Sequence, residues 1–112
     1  MSTTDIGKQA ERAVAEYLKK QDCKIKDYNW RTKWCEIDIV AQKDETVFFV
    51  EVKYRKTANQ GDGLDYITPK KLQQMAFAAE VWMAENNWQG EYALAAASIR
   101  SENFEVTDLI EL

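Results

Sequence analysis

Near the middle of the chain, Asp38, Glu51 and Lys53 bring two carboxylates and an ammonium together at a spacing suited to catalysis. In the segment Trp34-Cys-Glu-Ile-Asp-Ile-Val-Ala, a strand's period of two puts Glu36 and Asp38 on one face, with Ile37 and Ile39 on the other. In Val47-Phe-Phe-Val-Glu-Val-Lys, the same alternation puts Glu51 and Lys53 beside Phe49, with Val50 and Val52 opposite. If the two strands are neighbours across the polar stretch Gln42–Glu45, Asp38 approaches Glu51. Two carboxylates held together in a partly buried place repel each other unless a cation lies between them. A hard divalent ion with oxygen ligands, Mg²⁺ or Mn²⁺, is the natural cation. Lys53, one strand repeat beyond Glu51, can then neutralise a phosphate oxygen or position an attacking water, as hydrolysis of a phosphodiester requires.

The competing reading is a solvated sheet face carrying a cross-strand salt bridge, a commoner use of Asp, Glu and Lys on adjacent strands. Against it stands the apolar density of Val47–Val52. A strand that hydrophobic on both faces is expected at the centre of a sheet, where spare charges are unusual.

The elements that must position these residues can be read from periodicity. From Asp5 to Lys20 the residues Ile6, Ala10, Ala13, Val14, Tyr17 and Leu18 recur at three- and four-residue steps, with Thr4 or Asp5 as cap, which predicts an amphipathic helix. A short strand is expected within Lys24–Trp30, then the hairpin of Trp34–Ala41 and Thr46–Tyr54. Gly61-Asp62-Gly63 marks a loop. Thr68-Pro69 then caps a second core-facing helix bearing Leu72, Met75, Ala76, Ala79, Trp82 and Met83. Tyr92–Ile99 and Phe104–Leu109 read as two last strands joined by a turn around Ser101–Asn103. The order α-β-β-β-α-β-β predicts an α/β fold, a mixed sheet flanked by helices.

A chain of 112 residues, 46% hydrophobic and 12% aromatic, fits one packed domain over residues 1–112. Without an apolar run long enough to span a membrane, or a basic then apolar N-terminus, a cytoplasmic protein away from membranes is expected. Cys23 and Cys35, with no histidine in the chain, do not make a zinc site of the usual type. A net charge of −4 argues mildly against non-specific nucleic-acid binding, so local charge placement must decide. Arg31, Lys33, Arg55, Lys56, Lys70 and Lys71 flank the expected strand ends and loops, and as a cluster they can contact backbone phosphates.

Gly7-Lys-Gln-Ala-Glu11, Ala13, Tyr17-Leu18, Asn29-Trp-Arg31, Glu36-Ile-Asp38, Phe49-Val-Glu51-Val-Lys53-Tyr-Arg55, Gly61 and Lys70 together resemble the YraN family of predicted bacterial endonucleases. The resemblance covers about the first two-thirds of the chain. That family is similar to archaeal Holliday-junction resolvases and to the PD-(D/E)xK restriction-endonuclease-like fold. The resemblance implies Asp38 and Glu51 as Mg²⁺ ligands, helped by the Val52 carbonyl, and Lys53 as the group that orients or deprotonates water. It also implies that Glu11 adds a ligand or holds a metal-bound water; a solvated helix carboxylate is the alternative. Glu36 is a candidate supporting carboxylate. One departure is Cys35 where the family usually has Gly, a side chain expected to alter packing below the site. The implied activity is Mg²⁺-dependent hydrolysis of DNA at branched or single-stranded structures, and junction resolution would require a homodimer. The alternative is a non-catalytic nucleic-acid- or protein-interaction module on the same fold. For the segment after Gly90, sheet edge and partner surface both stay open.

Overall fold

The structure, a computed structural model, describes residues 3–55, 67–100 and 103–112, with backbone only at 3, 4 and 55. The elements run α1 (Thr3–Lys20), β1 (Lys24–Arg31), β2 (Glu36–Lys43), β3 (Thr46–Arg55), α2 (Pro69–Glu85), β4 (Glu91–Arg100) and β5 (Glu105–Glu111). This is the expected order. Helix α1 begins at Thr3, ahead of the expected start, so Thr4 and Asp5 lie in its first turn and are not its cap. At α2 the expected cap is present: the Thr68 hydroxyl accepts from the Lys71 N–H at 3.1 Å, and Pro69 opens the helix.

The strands form one five-stranded sheet in spatial order β1-β2-β3-β4-β5. Neighbours are antiparallel except β3 and β4, which α2 connects as a parallel pair. The β2–β3 turn narrows to Asp44-Glu45, with Lys43 facing Thr46 and Asp44 at φ 53, a left-handed conformation that Asp tolerates. Of the last turn, Ser101 and Glu102 lie outside the described residues, as does the Gly61-Asp62-Gly63 loop.

Each helix covers one face of the sheet. On the α1 side Ala10, Val14, Ala15 and Leu18 pack on Ile39, Ala41, Val50, Ala95, Ala97 and Ile99. On the α2 side Ala78, Ala79 and Trp82 pack on Ile37, Val40, Val47 and Phe49. Tyr17, expected in the core, sits at its rim and is 37% exposed. Beyond Gly90, β4 proves to be an inner strand whose Ala95, Ala96 and Ala97 are buried between the layers, and β5 is the sheet edge. Among the described residues, no helix is long and apolar enough to cross a membrane.

One irregularity positions everything that follows. The β2–β3 ladder stops at Ile39 and Val50. Beyond that point β2 stays with β1 down to Glu36 opposite Arg31, while β3 stays with β4 as far as Arg55 opposite Arg100. The sheet therefore forks, and Asp38 and Glu51 are the first residues past the split.

Candidate active site

A backbone N–H that loses its ladder partner must find another acceptor or be left unsatisfied. At the fork the Val52 N–H donates to Asp38 Oδ2 at 2.8 Å, so a side chain of β2 replaces the missing ladder bond to β3. In a strand the N–H and C=O of one residue point to the same side, so the Val52 carbonyl also faces the fork. Burial pushes the Asp38 carboxyl up to about 7, and repulsion from Glu51, and then from Glu11 and Glu36, adds to this against the opposing hydrogen bond from Val52. Asp38 is thus only partly exposed and, among the described residues, has no salt bridge, unlike an ordinary solvated sheet-face carboxylate.

Glu51 lies on the Phe49 side of β3, as alternation predicted, and Val50 and Val52 pack toward α1. Its partner comes from α2: Lys71 Nζ lies 3.1 Å from Glu51 Oε1, with both side chains largely covered. Lys53, exposed, follows two residues along β3, beside Ser98 of β4. Glu11 reaches the same region from α1. Burial raises its pKa most, a hydrogen bond from Asn29 opposes this, and repulsion from Glu36 and Glu51 adds to the rise. That hydrogen bond runs from Asn29 Nδ2 to Glu11 Oε2 at 2.7 Å.

Asn29 explains a correction to the strand pattern. Ile37 and Ile39 do not share a face: Ile37 packs with the α2-side cluster and Ile39 with the α1-side cluster. The break falls at Asp38, opposite Asn29, which sits inside β1 at φ 48, where Asn is among the few residues that fit. The kink turns the Asn29 amide toward Glu11. Local backbone strain of this kind accumulates where surrounding structure enforces it, functional sites included.

The basic residues gather beside the fork. Arg31, Lys33, Lys70 and Lys71 line an open groove of about 630 Å³ between the β1–β2 turn and the first turns of α2. Arg31 lies 3.8 Å from Glu36, both exposed, a pairing worth at most about 1 kcal/mol. The Arg55 side chain and Lys56 lie outside the described residues. Cys35, expected as a packing residue, is partly buried against the α2-side cluster, with its Sγ 3.2 Å from the Thr32 hydroxyl.

The donor set fits a hard divalent cation in kind: the carboxylates of Asp38, Glu51 and Glu11 with the Val52 carbonyl are all oxygen ligands, and a cation would relieve the repulsion that raises Asp38. As placed, however, no three carboxylates among the described residues close on one point, because Lys71 holds Glu51 and Asn29 holds Glu11. Lys71 therefore occupies the role of counter-charge to Glu51. Lys71→Met should lower the stability of the metal-free protein at pH 8 by about 1–2 kcal/mol, between the values for exposed and buried pairs. Urea unfolding measures this, and an unchanged midpoint would show Glu51 to be adequately solvated alone.

No catalytic or binding role is expected from the sequence for Asn29, Trp34 or Phe77, although Asn29 stands in the motif Asn29-Trp-Arg31. Trp34 was expected to start a strand, but β2 begins at Glu36 and Trp34 stands at the turn, 77% exposed. Phe77 is 48% exposed, and its sequence signal is that it falls off the apolar stripe of α2.

Comparison with known proteins gives the chain a family context. The model of "Uncharacterised protein family UPF0102" matches residues 10–110. A UPF0102 protein of Vibrio parahaemolyticus is 39% identical over 84 residues, covering 75% of this chain and 69% of that protein. One from a Sulfurihydrogenibium species is 41% identical over 91 residues, covering 81% and 79%. One from Pseudomonas fluorescens is 41% identical over 83 residues, covering 73% and 69%.

Proposed function

This chain belongs to the UPF0102 (YraN) family, and with that membership and the forked sheet as premises we propose that it is a divalent-metal-dependent endonuclease acting on DNA phosphodiester bonds. The observation that carries the reading is Asp38, a carboxyl held up to about 7 by burial and by three neighbouring carboxylates at the point where the sheet splits. Such perturbed groups concentrate at functional sites, because repulsion between them costs stability that a purely structural role would not require.

In this reading Asp38, Glu51 and the Val52 carbonyl would hold Mg²⁺ or Mn²⁺, Glu11 would add a further oxygen, and the ion would supply Lewis acidity toward the phosphate and the attacking water. Lys53 orients the attacking water and stabilises the charge that grows on the phosphorane oxygens. Lys71 exchanges Glu51 for a substrate phosphate, and Arg31, Lys33 and Lys70 position the strand through its backbone. Asn29 holds the Glu11 carboxylate at the rim.

The test is cleavage of duplex, single-stranded, flap and four-way-junction DNA with Mg²⁺ or Mn²⁺, and with chelator. Metal-dependent cleavage of at least one substrate is expected; none, at any metal concentration, would overturn the proposal. The engagement of Glu51 by Lys71 and of Glu11 by Asn29 is what a non-catalytic binding module would also show. That reading keeps DNA binding and loses all cleavage. In either case binding should weaken as salt rises, and removing Lys70 should reduce the dependence of log K on log salt by about one phosphate's worth, a slope change of roughly 0.7–0.9. Salt-independent binding would remove the phosphate contacts from the proposal.

A further inference from the structure

We infer that Trp34 and Phe77 form a stacking platform for unpaired bases, so that the groove beside the fork selects single-stranded DNA; this rests on the nucleic-acid reading above. Both aromatic residues line the groove that Arg31, Lys33, Lys70 and Lys71 also line. Trp34 is 77% exposed and Phe77 48%, whereas Trp82 is 2% exposed in the core and Trp30 and Trp88 pack against its edge. Neither ring belongs to the core clusters, and the exposed part of each leaves water only if something is laid upon it.

The β1–β2 turn fixes the backbone of Trp34 before any ligand arrives. The Thr32 N–H donates to the Cys35 carbonyl at 2.8 Å, and the Thr32 hydroxyl accepts from the Trp34 and Cys35 N–H groups at 3.2 and 3.3 Å. Phe77 stands on α2, a helix docked through Ala78, Ala79 and Trp82. Two rings carried on fixed backbones lose only side-chain freedom when they bind. Lys33 Nζ lies 5.7 Å from the centre of the Trp34 ring, so a cation and an aromatic face are presented as one unit.

That combination matches one ligand chemistry. Cations along a groove follow a phosphate backbone, and aromatic faces beside them take successive bases. Bases within a duplex are already stacked on each other and present only their edges, so a duplex leaves the rings unused. The groove also contains Glu36 and Lys71, the neighbours of Asp38 and Glu51. An unpaired strand seated on the rings therefore runs directly to the fork.

The test uses fluorescence anisotropy of the full chain at low salt with chelator, so that no cleavage intervenes. The probes are a labelled oligo-dT, an abasic oligonucleotide of the same length, and a duplex. Trp34→Ala and Phe77→Ala are each expected to weaken oligo-dT binding roughly 5- to 100-fold. Their binding of the abasic probe and the duplex should stay within about twofold, and the salt slope on oligo-dT should not change, since no phosphate contact is lost. Trp34→Phe keeps an aromatic face and should retain most of the affinity. Unchanged oligo-dT binding by both alanine variants, an equal loss on the abasic probe, or wild-type protein that binds the abasic probe as tightly as oligo-dT would overturn the inference. Failure of the nuclease reading looks different: ring-dependent binding would persist without cleavage of any substrate.

Discussion

Replacing Asp38 by Asn should abolish metal-dependent cleavage, by roughly 100-fold at least, and yet make the metal-free protein more stable at pH 8. The change is nearly isosteric, and the Asn carbonyl oxygen can still accept the Val52 N–H that Asp38 Oδ2 now accepts at 2.8 Å. What disappears is a buried negative charge beside Glu51, Glu11 and Glu36. In the folded protein the Asp38 carboxyl ionises at about 7, against 3.8 ordinarily. Below pH 4 it is protonated in both folded and unfolded chains and stability is unaffected. Between pH 4 and 7 only the unfolded chain releases the proton, so rising pH favours unfolding; above 7 that loss is complete. The shift corresponds to at most about 4 kcal/mol, and because neighbouring carboxylates share the repulsion, a gain on the order of 2–4 kcal/mol is expected for Asp38→Asn at pH 8. At pH 4 the two proteins should be nearly equal.

Metal should act in the opposite sense on the wild type alone. A cation that binds only the native state stabilises it by about 2.7 kcal/mol at a hundredfold excess over Kd, and less if the site is weak. Thermal melts of both proteins at pH 4 and 8, with chelator and with Mg²⁺, check every part of this. A solvated sheet face makes the reverse forecast: Asp38→Asn would be destabilised at pH 8, and Mg²⁺ would move neither protein.

The second large effect concerns the support of the groove. Trp82 is buried to 2% exposure, meets Phe49 edge-on at 5.6 Å between ring centres, and donates its indole N–H to Asp27 Oδ2 at 2.8 Å. It thus ties α2 to β3 and β1 at once. Trp82→Ala should cost about 3–5 kcal/mol, a large part of the roughly 5–15 kcal/mol that stabilises a typical domain, and should lower Tm on the order of 10–20 °C. Trp82→Phe keeps most of the ring contact and loses the hydrogen bond, so about 1–2 kcal/mol is expected. Because α2 also carries Lys70, Lys71 and Phe77, the alanine variant should bind oligo-dT more weakly even below its Tm. Denaturant unfolding of the two variants measures the stability terms. A loss under about 1 kcal/mol for the alanine variant would show that α2 is docked by other contacts.

The legible part of the fold is the part governed by near neighbours. The apolar steps of α1, the Thr68-Pro69 start of α2 and the alternation of β3 each follow from dihedral preference and side-chain direction within a few residues. The order of elements and the shared strand face of Glu51 and Lys53 were legible for that reason. The rest depends on contacts between residues far apart in the chain. Where the β2–β3 ladder ends depends on the competing pulls of β1 and β4, and no local signal marks Ile39 and Val50 as its last pair. The broken alternation at Asp38 comes from Asn29, nine residues earlier in the chain and directly opposite in the sheet. The partners of Glu51 and Glu11 are likewise distant residues, Lys71 and Asn29. Trp34 reads as a strand residue because its type favours strands, but the Thr32–Cys35 turn, in which the Thr32 hydroxyl accepts from the Trp34 N–H, leaves it outside β2. Side-chain type and local period can nominate a carboxylate; its charge state depends on how much water, and how many other carboxylates, the folded chain leaves around it.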